Sequence, residues 1–88
     1  MKTTNRKCRD FVNRCEPFTA SNLSGVAISD NLYVVYSYGY WPIWAKIKGK
    51  WYGHYSKYSS TTSCHTSQSR PNGTIKMLAD VDKLKAKI

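Results

Sequence analysis

The chain has 88 residues and carries 14 Lys and Arg against 5 Asp and Glu, a net charge of +9. That length forms one domain, residues 1–88, which buries only about 60–65% of its unfolded surface, so its core is small. The cation excess points to an anionic partner, with nucleic acid ahead of an acidic protein surface. No apolar run approaches the roughly 18 residues of a spanning helix, and no membrane partner is expected.

Residues 4–15, TNRKCRDFVNRC, predict a short helix. Thr3 or Thr4 can cap it, Cys8, Phe11, Val12 and Cys15 form one apolar stripe, and Pro17 stops it. LSGVAI predicts a strand with a turn at Ser29-Asp30-Asn31. LYVVYSYG is the strongest strand signal, dense in β-branched and aromatic residues. Its alternation sends Leu32, Val34, Tyr36 and Tyr38 one way and Tyr33, Val35 and Ser37 the other.

PIWAKIKGKWYGHY predicts a hairpin turning near Lys48-Gly49-Lys50. Ile43, Ala45 and Ile47 point to one face, and Trp44, Lys46 and Lys48 to the other. The expected sheet therefore rests one apolar face on helices and shows an opposite face of alternating aromatics and lysines. Residues 60–69 predict a short polar helix, and Asn72-Gly73 a turn. In IKMLADVDKLKAKI the residues Leu78, Val81, Leu84 and Ile88 fall on a helical stripe. The expected fold is α+β: a small antiparallel sheet of three to four strands, an N-terminal helix, a short polar helix after the sheet and a C-terminal helix.

NLSG, YVVYSYG, PI, KWY and KYSSTTSCHTSQSRP, in that order, resemble an uncharacterised family of small domains common in bacteriophage genomes. The resemblance covers about residues 18–71 and leaves out the N-terminal helix and the basic tail. It implies a viral protein working in the host cytoplasm and assigns no chemistry. Tyr40-Trp41 stands where such domains often carry a Thr-His-like pair. The three cysteines, Cys8, Cys15 and Cys64, agree with a reducing compartment, since an odd count argues against a disulfide scaffold.

Two features carry the functional expectation. The first is the aromatic and basic hairpin. Trp44, Trp51, Tyr52 and Tyr55 neighbour Lys46, Lys48, Lys50 and Lys57, the combination that stacks bases and follows a phosphate backbone in single-strand binders. The second is the hydroxyl run. Ser59, Ser60, Thr61 and Thr62 at a helix start suit a phosphate, and on that helix Thr61, His65 and Gln68 or Ser69 share a face. Gln68 suits a base edge, and Arg70 a phosphate or guanine. Capping and packing explain the same residues without a ligand.

Chemistry is sparse. Cys64 and His65 are adjacent, a poor spacing for zinc, and the five acids are scattered, so no metal, cofactor or catalytic residue is expected. The leading expectation is a non-enzymatic phage protein that binds DNA or RNA. The alternative is a phage anti-defence or host-takeover protein, of the CRISPR-inhibitor kind, that binds a host defence protein or ribonucleoprotein complex. A metal-free nuclease using His54 and His65 is the third reading. Exposed Tyr and Trp also admit a homodimer.

Overall fold

Two tight turns pair glycine with a residue held at positive φ. Lys48 and Gly49 have φ of 51° and 82°, and Tyr38 and Gly39 have 58° and 78°. Consecutive left-handed residues match the twist of the strands they join, which favours two-residue hairpin turns. The computed structural model describes residues 2–5, 7–56, 66 and 68–88. In it the hairpins fold β2 (Leu23–Ser29), β3 (Leu32–Ser37), β4 (Trp41–Ile47) and β5 (Lys50–His54) into an antiparallel meander. A two-residue strand, β1 (Phe18–Thr19), pairs with β2 at one edge. At the other edge β6 (Ile75–Leu78) runs parallel to β5. The sheet order is β1-β2-β3-β4-β5-β6.

This corrects the expected three to four strands: there are six, and one pair is parallel. The two additional strands are both at edges and hold two and four residues, too short for alternation to declare itself. IKML was assigned to the C-terminal helix because Leu78 is in helical phase with Val81 and Leu84. The structure instead ends β6 at Leu78 and begins α2 (Val81–Lys87) after Asp80. The Asp80 side chain accepts a hydrogen bond from the Lys83 backbone N–H at 3.0 Å, which satisfies one of the helix's orphan donors. Of the expected polar helix, all but residues 66, 68 and 69 lies outside the described residues.

Both faces of the sheet are covered, so the expected open face of rings and lysines does not exist. On one side α1 (Cys8–Asn13) lays Cys8 and Val12 over Leu23, Tyr33, Val35, Trp44 and Trp51. On the other, Leu84 of α2 packs on Val34 and Ala45, with Leu32, Tyr36, Ile47 and Tyr52 around them. The chain has only four leucines with which to fill two cores. Burying a large apolar side chain contributes about 1.5–3 kcal/mol, so the tryptophans are drawn inward. A bulge in β4 adds to this. Val35 pairs with Trp44 and Tyr36 with Pro42, which leaves Ile43 as the extra residue. Ile43 thus joins the same core as Trp44, while Ala45 belongs to the other. The predicted grouping of Ile43 with Ala45 and Ile47 fails for that reason. Gly53 lets the Trp44 ring come close to β5: a Cβ there would clash with Trp44 Cζ3 and meet Cε3 at 2.8 Å.

Candidate anion-binding groove

The Lys48-Gly49 turn sends β4 back as β5 with Lys46 and Lys50 at the same end of the sheet. β6 starts beside them, with Trp51 opposite Ile75 and Tyr52 opposite Lys76. The lead-in to β6 is tied to the end of α1, where the Asn72 N–H donates to Asn13 Oδ1 at 2.7 Å. These pieces enclose an open groove of about 630 Å³. Lys46, Lys50 and Lys76 line it, together with Asn13, Gly49, Trp51, Asn72, Gly73 and Thr74. Among the described residues, no carboxylate does. A second hollow of about 580 Å³ shares Asn13, Lys46 and Gly49 with it. There Arg14 is committed to Glu16 at 3.0 Å.

Among the described residues, none of the lysines is ion-paired with a carboxylate. Several rest on rings instead. Lys46 Nζ lies 5.9 Å from the centre of the Trp51 ring, and Lys87 Nζ lies 5.0 Å from that of Tyr52. A cation over an aromatic face is worth about 0.5–1 kcal/mol at exposed sites, enough to orient a lysine without neutralising it. The positive potential of this end of the sheet is therefore left for solvent or for a ligand.

The sequence-predicted residues divide into three groups. Lys46 and Lys50 come together in the groove, and Lys48 is exposed at the apex of the turn. The rings mostly do not join them. Trp44 is 1% exposed, and its Nε1–H donates to the Thr66 carbonyl at 3.1 Å. Trp51 lines the groove but is 8% exposed, with Lys46 over its ring. Neither can stack on a base from there. Tyr52 is half-buried, and Tyr55 is 68% exposed. Arg70 holds its guanidinium 5.7 Å from the centre of the Trp44 ring, and the Gln68 carbonyl faces the Cys8 thiol at 3.8 Å. Lys57, Ser59, Ser60, Thr61, Thr62 and His65 lie outside the described residues. Sequence reasoning missed Lys76, Asn72, Thr74 and Asn13. The one signal available was the Asn72-Gly73 turn, which fixes where the strand after it begins.

Scans against protein-family models, curated proteins and solved structures gave no match. The site's chemistry must therefore be read from its own residues. His54 is buried, with Nε2 2.7 Å from the Pro42 carbonyl, so the ring donates there and pins the start of β4. Burial pushes the Cys8 thiol up to about 11 and also raises Tyr33, whose hydroxyl donates to the Glu16 carbonyl at 2.7 Å. Both act as core polar groups. No cluster of three or more His, Cys, Asp or Glu side chains forms among the described residues. No described helix is long and apolar enough to cross a membrane.

Proposed function

We propose that this protein is a non-enzymatic nucleic-acid binder that grips phosphates in the groove between the β4–β5 turn and the start of β6. The observation that carries this reading is that Lys46, Lys50 and Lys76 all line one groove that, among the described residues, no carboxylate lines. Uncompensated cations along one groove raise its positive potential, and phosphates lower it while releasing counterions. Asn72 and Thr74 add polar residues to the same groove. The mechanism differs from the one the sequence suggested, because the cations act without a tryptophan stacking platform. The phage-like blocks within residues 18–71 support a setting in an infected host cell.

The test is fluorescence anisotropy with a labelled oligonucleotide of mixed sequence over a range of salt. Binding should weaken steeply as salt rises, and the triple charge reversal Lys46→Glu, Lys50→Glu, Lys76→Glu should abolish it while circular dichroism stays native. Unchanged affinity in that folded variant would move the contact surface elsewhere.

A second reading, an anti-defence protein that occupies a host complex, draws on another part of the molecule. Residues 15–45 contain no Lys or Arg, and within them Val26 and Ile28 on β2 are 41% and 49% exposed. Exposed apolar residues on a cation-free flank suit a protein partner. Under that reading the protein co-purifies with one host complex after nuclease treatment and binds naked oligonucleotide weakly.

A further inference from the structure

Strand register puts the groove's lysines on opposite faces of the sheet. Lys46 belongs to the cross-strand row Tyr33, Lys46, Trp51, Ile75, on the side covered by α1. Lys76 is opposite Tyr52, whose row continues through Ala45 to Val34, on the side covered by α2. Lys50 is two residues before Tyr52 and shares that second face. From the last turn of α2, Lys87 reaches the same tyrosine, with Nζ 5.0 Å from the ring centre. Lys50, Lys76 and Lys87 thus share the face of the half-buried Tyr52, and none of the three has an ion-pair partner among the described residues. The positive track therefore starts on one face, crosses to the other at the β4–β5 turn and continues past the start of β6 to the C-terminal helix.

Resting on the nucleic-acid reading above, we infer that the ligand is a single strand that bends over the β4–β5 end of the sheet. Its phosphates step from Lys46 through Lys50 and Lys76 to Lys87. Lys46 and Lys50 flank the Lys48-Gly49 turn, so the path changes face within a few residues at the end of the sheet. Duplex DNA has a persistence length of about 150 base pairs and does not follow such a path. A single strand bends at each phosphate. Tyr52 supplies the support that keeps Lys87 on the track.

The experiment compares a labelled 12-nucleotide single strand with its duplex, using wild-type protein and Lys87→Ala. Lys87 is exposed at the end of the helix, so its loss leaves the fold and the groove intact. Four phosphate contacts to a single strand give a slope of log K on log salt near −3, at about −0.7 per contact. Lys87→Ala should reduce that slope by about 0.7 and weaken single-strand binding, and the duplex should bind at least about tenfold more weakly than the strand. An unchanged slope in Lys87→Ala, with Lys50→Ala still lowering it, would overturn the extension to α2 and leave the groove standing. A duplex bound as tightly as the strand would overturn the single-strand assignment. Absence of salt-dependent binding to either probe would defeat the nucleic-acid reading itself.

Discussion

Trp44→Phe separates a structural ring from a ligand-stacking one. The substitution keeps an aromatic side chain but removes the indole N–H that donates to the Thr66 carbonyl at 3.1 Å. Losing this part-buried hydrogen bond costs about 0.5–1.5 kcal/mol. The smaller ring leaves a void against Gly53 and β5, which at about 24 cal/mol per Å³ adds on the order of 1 kcal/mol. The expected loss is about 1.5–2.5 kcal/mol. For a domain of this size each kcal/mol lowers the melting temperature by about 4–8 °C, so the midpoint should fall by at least about 6 °C. Thermal unfolding followed by far-UV circular dichroism reads this directly. Oligonucleotide affinity, measured well below the variant's midpoint, should equal that of the wild type. A variant that melts with the wild type yet binds oligonucleotide more weakly would refute the reasoning, because the ring would then face the ligand.

Gly53→Ala should be damaging too, since its Cβ clashes with the Trp44 ring and meets Met77 Sδ at 3.0 Å. Urea denaturation should show a loss of about 1–3 kcal/mol, typical of overpacking, and an unchanged midpoint would mean that Trp44 lies elsewhere. Cys8 makes stability sensitive to alkaline pH. Burial raises its thiol from 9.0 to about 11, so below pH 9 folded and unfolded chains both hold the proton. Between pH 9 and 11 the unfolded chain releases it and the folded one retains it, so stability falls as pH rises, by up to about 3 kcal/mol. Urea midpoints at pH 8 and pH 10.5 should therefore diverge more for the wild type than for Cys8→Ala. Equal divergence would place Cys8 outside the core.

Much of the central sheet was legible because its residues repeat a local signal. Leu23–Ser29 and Leu32–Ser37 are long enough for alternation to show, and Leu32, Val34 and Tyr36 do share one core while Tyr33 and Val35 share the other. The Lys48-Gly49 turn and the Asp80 cap are also local. What was not legible depends on distant contacts. The bulge at Ile43 exchanges a side chain between faces, and nothing in PIWAK announces it. The burial of Trp44 and Trp51 follows from α1 covering the face that alternation had left to solvent. Lys76 enters the groove only because β6 pairs in parallel with β5, across a connection that spans residues 55–74. Of the predicted site, the basic hairpin survives as a surface and its two buried tryptophans become core.

The claim that phosphates dock at the β4–β5 turn is tested most directly by amide chemical shifts. ¹⁵N-labelled protein is titrated with an unlabelled single-stranded oligonucleotide at low salt. The account predicts fast, saturable shifts concentrated at Lys46–Trp51 and Asn72–Lys76, with Val26–Ser29 on the cation-free side of the sheet unmoved. Shifts centred on Val26–Ser29, or none at the hairpin when binding is saturated, would contradict it.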